Sequence, residues 1–252
     1  EPPIYCHVPM ILGDDGKRLS KRHGAVSVLQ YRDDGFFPEV LLNYLVRLGW
    51  SHGDQEIFTI DEMISYFDAK DVNGAPSTFN PEKLLWLNQQ YIQACDKNDL
   101  ANRLKWYVDK IGLDTRNGPE LADVALALIE RAKTLVEMAD SAQIFYQEYS
   151  EFDVKAAKKN LRPVIKEPLQ ALRDKLSTIE AWNAAAINEA INSIAEQFEL
   201  NMGKIGQPLR VAVTGAGASP PIDITVELIG KPRTLAGLDK ALKYIEEREA
   251  NA

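Results

Sequence analysis

The stretch that organises the rest of this chain is a basic loop close to its start: Gly16-Lys17-Arg18-Leu19-Ser20-Lys21-Arg22-His23-Gly24-Ala25. Five side chains that are cationic, or become so on protonation, fall within seven positions, and glycines bound the run. A flexible loop with this charge can close over the phosphates of a ligand and open again. The residue types alone leave a second interpretation open, a solvated basic surface loop.

The composition describes a globular chain with an acidic balance. Its 252 residues are 45% hydrophobic and 26% charged, which argues against global disorder. The net charge of −8 excludes a diffusely basic nucleic-acid binder but not a local basic face. Cys6 and Cys95 are the only cysteines and no histidine pair has metal-ligand spacing, so we expect neither a disulfide framework nor a metal site.

No apolar run approaches the roughly 20 residues of a membrane span, and the start has no signal-peptide pattern. We therefore expect a cytoplasmic chain with no membrane contact. The chain begins with a glutamate and enters an apolar extended segment at once, over residues 4–12. This start predicts a piece cut from a longer protein.

The first hundred residues predict short mixed elements. Residues 4–12 predict an extended edge before a Gly-Asp-Asp-Gly turn, and residues 36–50 predict a helix with Pro38 in its first turn. The spacing of Thr59 to Glu62 predicts a capping box. The run from Ser77 onward predicts a helix start, with Asn80 as N-cap and Pro81 at the first helical position.

From residue 96 onward the pattern is helical throughout. We expect a helix capped by Asn98 or Asp99 and ended by Gly112, then one long helix from Pro119 to Met138. Further helices are predicted over residues 142–149 and 154–161, after Pro163, after an Asn183 cap, and over residues 222–229 and 235–248. Short connections between these helices favour stacked helices over a β-barrel.

The residue order in the basic loop, Arg18-Leu19-Ser20-Lys21-Arg22, resembles the KMSKS signature of class I aminoacyl-tRNA synthetases, in the form typical of bacterial glutamyl-tRNA synthetases. Residues 42–50 and 79–88 are similar to the stem-contact region of the same family. The resemblance implies that residues 18–22 contact ATP and that Lys21 is catalytic, holding the phosphates as adenylate and pyrophosphate form. Two positions depart from the signature, since Arg18 replaces its first lysine and Arg22 its final serine, and a planar guanidinium differs from a compact ammonium.

The segment from Met202 to Gly215 looks like the part of the same enzymes that reads anticodon bases. The resemblance implies a pocket for the later anticodon bases, lined by Arg210, Ser219, Pro220 and Ile222. It also implies that Arg131 corresponds to an arginine near the first anticodon base. Arginine offers forked donors and a stacking plane to single-stranded bases, while small residues and proline shape a slot. Without the resemblance, a lone helical arginine such as Arg131 is a surface salt-bridge partner.

The resemblance implies a mainly α fold: a short α/β remnant of a catalytic domain with the stem-contact region over residues 1–94, then helical anticodon-binding subdomains over 95–149 and 150–252. A helical cage, in place of a β-barrel, favours glutamate over glutamine as the amino acid. The whole enzyme would join L-glutamate to glutamate tRNA in two steps, using ATP with Mg²⁺. This chain lacks a HIGH-type motif, so we expect that it does not aminoacylate tRNA alone. We expect it to bind tRNA as a monomer and to hold no cofactor.

Two other classes stay open. The chain could be a stand-alone helical RNA-binding or adaptor protein with the same fold. A small ATPase would use the glycine-rich residues 214–221 as a phosphate loop with Ser219 as a helix cap, but the Walker lysine is missing. A possible RNA-backbone stripe, which could equally be a solvated face, comprises Lys155, Lys158, Lys159, Arg162, Lys166 and Arg173.

Overall fold

Helices form almost all of the regular structure. The structure is a computed structural model, and it describes residues 2–3, 5, 7–13, 15–20 and 27–250. Two compact units divide the chain: unit 1 comprises Glu1–Leu100 and Ala132–Met138, and unit 2 comprises Ala101–Arg131 and Ala139–Ala252. The expected mainly α class is confirmed.

The elements in chain order are β1 (Ile11–Leu12), α1 (Val28–Asp33), α2 (Pro38–Arg47), α3 (Ile60–Tyr66), β2 (Ser77–Thr78), α4 (Pro81–Ala94), α5 (Lys97–Lys110), α6 (Leu121–Leu128), α7 (Leu135–Tyr146), α8 (Val154–Asn160), α9 (Lys166–Ser177), α10 (Ala184–Gln197), α11 (Met202–Thr214), α12 (Ile222–Ile229) and α13 (Lys231–Ala250). Short 3-10 turns at Ala69–Asp71 and Pro163–Ile165 complete the described elements. The second half of the described chain is helical, as its pattern predicts.

A pair of two-residue strands begins unit 1. β1 runs parallel to β2, with Ile11 opposite Ser77 and Leu12 opposite Thr78. Of the extended segment predicted over residues 4–12, residues 4 and 6 lie outside the described residues, and the described part forms a strand only at residues 11 and 12. Ser77 and Thr78 lie in this sheet, because Ser77 N donates to Met10 O at 3.0 Å and Phe79 N to Leu12 O at 2.8 Å. The helix beyond them starts at Pro81 with Asn80 as its cap, as predicted.

The core of unit 1 contains a buried polar network that holds the loop before α3. Asn43 Oδ1 accepts from Phe58 N at 2.7 Å, and Asn43 Nδ2 donates to Glu56 O at 3.0 Å. The Tyr91 hydroxyl bonds to Phe58 O and also reaches Asn43 Oδ1 at 2.8 Å. Because these buried backbone groups find partners on α2 and α4, the loop loses water without leaving them unpaired.

Two caps in unit 1 follow from local sequence. Thr59 and Glu62 form the predicted capping box at the start of α3: Thr59 Oγ1 accepts from Glu62 N at 3.1 Å, and Glu62 accepts from Thr59 N at 2.7 Å. At the start of α5 the carboxylate of Asp96, and not Asn98 or Asp99, accepts backbone hydrogen bonds from residues 98 and 99, at 2.8 and 3.2 Å.

The prediction of one helix from Pro119 to Met138 is wrong, because the chain breaks between α6 and α7. Thr134 Oγ1 accepts from Glu137 N at 3.2 Å, and the Glu137 carboxylate accepts from Lys133 N at 2.8 Å, so this threonine and glutamate start a new helix. Leu135 N donates a hydrogen bond to Gly35 O at 3.0 Å. Arg131 therefore lies in a turn beyond α6, and the helix predicted over residues 142–149 is the end of α7.

Helices α8 to α13 pack on one another in unit 2, with α13 against α9 and α11, and α10 against α9, α11 and α12. The backbone of α13 comes unusually close to α11 at Gly237, where a Cβ atom would lie 2.4 Å from Ala212 O. Within the described residues, no helix is long and apolar enough to cross a membrane, and no three His, Cys, Asp or Glu side chains are grouped to hold a metal ion.

We predict that Gly237→Ala destabilises the chain by about 1–3 kcal/mol, because the added methyl group meets backbone that has no room to move. Gly203→Ala is the matched control, since a Cβ there meets only the Asn201 side-chain oxygen at 3.5 Å. Thermal unfolding should show a lower midpoint for Gly237→Ala and an equal or higher one for Gly203→Ala. Equal midpoints for Gly237→Ala and the wild type would contradict the close helix contact.

Burial raises the pKa of Tyr91 to about 12, and the negative charges of Glu39 and Glu62 act in the same direction. The folded state therefore keeps this proton where the unfolded chain, with a pKa near 10, loses it. Stability from this group is complete below pH 10 and is lost as the pH rises to about 12. We predict that Tyr91→Phe makes the fall in unfolding free energy over that range shallower, whereas Tyr5→Phe, at a residue 78% exposed, does not. Identical pH slopes in both variants would refute this.

Candidate nucleic-acid interface

Helix α11 carries Arg210 and ends in a loop whose direction is set by one glycine. Asn201 caps the helix start by accepting from Lys204 N at 3.0 Å, and Gly215 ends it with a φ of +74°. A Cβ at Gly215 would also lie 2.6 Å from the Tyr149 ring. Left-handed backbone and the close ring both require glycine, so residues 215–221 leave the helix in a defined direction.

The loop is held by hydrogen bonds among buried hydroxyl groups. Ser219, which is 5% exposed, lies with its hydroxyl 3.0 Å from Pro220 O and 3.1 Å from Thr225 Oγ1. Thr225 Oγ1 in turn donates to Pro220 O at 3.2 Å. The carbonyl of Pro220 is thus fixed from two sides. Ser219 acts on the loop itself, and no side chain caps α12, whose N-cap is Pro221, so the phosphate-loop alternative has no support here.

Arg210 points its guanidinium at this same carbonyl. Nη2 donates to Pro220 O at 3.3 Å, which is a long hydrogen bond, and Nε is buried with no hydrogen-bond partner. Burial lowers the pKa of Arg210, and the positive charge of Arg131 lowers it further. Within the described part of the chain, neither arginine forms an ion pair with a carboxylate.

The structure therefore brings together residues that are far apart in sequence. Arg131 is exposed in the turn after α6, and α6 packs against α12. Ile222 begins α12, and its Cγ2 would lie 3.9 Å from a Cβ at Gly206, one helical turn before Arg210. Arg131, Arg210, Ser219, Pro220 and Ile222 surround one region of unit 2.

The positive charges of Arg131 and Arg210, together with the unpaired Nε of Arg210, favour a ligand that carries hydrogen-bond acceptors. The buried Nε without a partner costs free energy, whereas the half-buried guanidinium has further N–H donors that can bind the oxygen or nitrogen acceptors of a ligand. Base edges carry such acceptors, and a guanidinium can also stack on a base plane. The buried Pro220 carbonyl already accepts from Ser219, Thr225 and Arg210, so it positions the guanidinium and the arginines supply the donors of the site.

Sequence reasoning missed Thr225 and Tyr149, which support this site. Tyr149 donates to Ala212 O at 2.6 Å and fills the space that Gly215 leaves open. Nothing in the local sequence around either residue indicates this role, because each acts through a neighbour that is distant along the chain. The glycine at 215 is the only local signal that a close approach occurs here.

The basic loop near the start is described only as far as residue 20. Gly13 N donates to Lys17 O and Leu19 N to Ile11 O, both at 2.8 Å, so the chain turns back along β1. Leu19 is half-buried, and Arg18 and Ser20 are exposed. Lys21 and Arg22 lie outside the described residues.

Two family models match this chain, and together they cover most of it. Residues 1–86 match the catalytic domain of class I tRNA synthetases (E and Q), and residues 99–242 match an anticodon binding domain.

Solved structures agree with these matches. A glutamate tRNA ligase from Elizabethkingia meningosepticum, solved in complex with its amino acid, has a TM-score of 0.86 and 30% identity over 97% of this chain. A glutamate-tRNA synthetase from Elizabethkingia anophelis has a TM-score of 0.82 and 30% identity over 96% of it. This chain spans 52% of the length of each. The chain belongs to the family of the anticodon binding domain over residues 99–242, and its residues 1–86 match the catalytic domain of class I tRNA synthetases (E and Q).

Proposed function

We propose that this chain is the tRNA-binding part of a glutamate-tRNA ligase and that its Arg210 region reads anticodon bases of glutamate tRNA. The observation that carries the proposal is the hydrogen bonding of the half-buried Arg210: among the described residues it has no carboxylate partner, Nη2 makes one long hydrogen bond to Pro220 O, and the buried Nε has no partner. A purely structural arginine in unit 2 is bonded quite differently. Arg233 donates to the carbonyls of Phe145, Ile144 and Gln147 at 2.6 to 3.1 Å.

Each pocket residue has a distinct part in this proposal. Arg210 and Arg131 donate to base edges or stack on them, and Ile222 gives one apolar wall. The Pro220 carbonyl positions the Arg210 guanidinium, and Ser219 and Thr225 hold that carbonyl in place. Since Arg210 is already held by Pro220 O before a ligand arrives, little ordering of this side chain is needed on binding.

The catalytic role belongs to the whole enzyme and is likewise a proposal. The enzyme would activate L-glutamate with ATP and Mg²⁺ and transfer it to tRNA in the cytoplasm, as a monomer. In this chain the exposed Arg18 and Ser20 suit an anionic ligand such as the ATP phosphates, with Leu19, Lys21 and Arg22 completing the loop. We propose that Lys21 is the phosphate-holding residue and that residues 1–94, 95–149 and 150–252 are the functional divisions.

No observation favours a stand-alone adaptor over this proposal. The match of residues 1–86 to a catalytic domain supports a ligase, because an adaptor has no use for part of an ATP-dependent domain. We expect this chain alone, supplied with ATP, Mg²⁺ and glutamate, to leave tRNA uncharged.

We predict that Arg210→Ala weakens binding of glutamate tRNA roughly ten- to a hundredfold and abolishes discrimination against anticodon-substituted tRNA, since it removes charged donors from base edges. Arg116→Ala is the matched control, because it removes the same charge from an exposed arginine of unit 2 that is paired with Asp114 at 2.7 Å. Filter binding of both tRNAs measures the two effects. Unchanged anticodon preference in Arg210→Ala would refute the pocket assignment.

A second prediction separates binding from folding. Arg210→Met keeps much of the apolar stem but removes a half-buried charge that lacks a full set of hydrogen-bond partners, so we expect the thermal midpoint to stay the same or rise. The same variant should lose anticodon-dependent binding. A large fall in the midpoint, with binding lost in proportion, would instead assign Arg210 to the support of the fold.

A further inference from the structure

A groove of about 880 Å³ in unit 2 is lined by cationic and amide side chains and by no acidic residue. Its polar lining consists of Lys155, Lys159, Asn160, Arg162, Lys204 and Gln207. Four positive charges around one groove stand out on a chain whose net charge is −8. A concave surface with charge of one sign concentrates the opposite charge in it.

The four cations of the groove form no ion pair among the described residues, whereas two other residues of the predicted basic stripe, Lys166 and Arg173, do. Lys166 pairs with Glu246 at 3.4 Å and Glu249 at 3.1 Å, and Arg173 pairs with Asp239 at 2.8 Å. Those two residues are engaged within the fold. Lys155, Lys159 and Arg162 remain available, and Lys204 from α11 joins them.

The groove has rigid walls. Lys155 and Lys159 lie one turn apart on α8, whose start is capped by Asp153. Arg248 of α13 holds the other end of that helix by donating to Lys158 O and Leu161 O, both at 3.0 Å. The backbone that carries these lysines is therefore fixed before any ligand binds.

The groove is continuous with the Arg210 region through shared elements. Gln207 and Pro208 line the groove from α11, and Arg210 lies in the next turn of that helix. Gly217 lines the groove from the loop that also carries Ser219 and Pro220. A nucleic-acid strand whose bases reach Arg210 can thus lay its backbone along these lysines.

We propose that this groove binds the phosphodiester backbone of the tRNA anticodon loop. The inference rests on the proposed function and adds a second contact surface to it. Lysine ammonium groups bind phosphate oxygens as point charges without reading sequence, whereas the Arg210 region reads bases. The groove sets the affinity and position of the loop, and the pocket sets the preference for its bases.

The test uses the 252-residue chain with Lys155, Lys159 and Lys204 changed together to alanine. All three side chains are exposed, so the fold should be retained, and the thermal midpoint checks this. Affinity for an isolated anticodon stem-loop RNA should fall roughly ten- to a hundredfold. The slope of log affinity against log salt should become shallower by about 2, as expected for three lost contacts to a single strand. The loss should be equal for matched and substituted anticodons.

Lys158→Ala is the matched control, since this exposed lysine of α8 does not line the groove. Its affinity and salt slope should equal those of the wild type. If the triple variant has a lowered midpoint, the single variants Lys159→Glu and Lys204→Glu repeat the measurement.

The outcomes separate the two proposals. Full binding of the stem-loop by the triple variant, with Arg210→Ala still losing anticodon preference, would overturn the groove and leave the proposed function standing. A loss seen only with whole tRNA would also overturn it, since the contact would then lie outside the anticodon arm. Binding of inorganic phosphate in the wild-type groove, with stem-loop affinity unchanged in the triple variant, would also overturn the proposal for the groove. If Arg210→Ala has no effect and the triple variant loses affinity for every RNA equally, the proposed function fails and a non-specific backbone site remains.

Discussion

The candidate site depends on the half-buried guanidinium of Arg210, which has fewer hydrogen-bond partners within the fold than it has donors. The donors of Arg210 face one carbonyl at a long distance, and Nε faces none. The surrounding structure keeps this arrangement because the Pro220 carbonyl is held by Ser219 and Thr225, and because Gly215 aims the loop past Tyr149. The unpaired donors of Arg210 lower the stability of the fold locally but leave those donors available to a ligand that carries acceptors. Binding sites commonly depart from the most stable arrangement in this way.

The two proposals assign base recognition and phosphate binding to different residue types of unit 2. Forked donors from arginine suit base edges, whereas the compact charge of lysine suits phosphate oxygens that all look alike. The acidic balance of the whole chain strengthens this division, because it discourages RNA from settling on the rest of the surface. Pairing of Lys166 and Arg173 with acidic residues removes two further positive sites.

Much of the fold could be predicted from local sequence, since each helix start has its own signal. The Thr59–Glu62 box and the Asn80–Pro81 and Asn183 caps act within four residues, and the structure confirms them. The sequence prediction missed the break between α6 and α7 because apolar residues continue at helical spacing across it. The capping-box spacing of Thr134 and Glu137 was the local signal for this break. Strand β2 was missed because its pairing with β1 joins residues more than sixty positions apart. In the candidate site, Arg210 and Arg131 were predicted from family resemblance and stay predictions, whereas Thr225 and Tyr149 act through contacts that no local pattern indicates.

The path of the chain constrains the order in which this protein can form during synthesis. Unit 1 takes residues 132–138 from a segment that follows part of unit 2, and Asn88 Nδ2 donates to Lys133 O at 2.6 Å while Gly35 O accepts from Leu135 N. In a nascent chain that has emerged only as far as residue 100, Asn88 and Gly35 therefore lack their hydrogen bonds to Lys133 and Leu135. Unit 1 reaches its full set of hydrogen bonds only after the turn that bears Arg131 has left the ribosome. Cutting the gene at any single point between the two units would likewise leave at least one half incomplete.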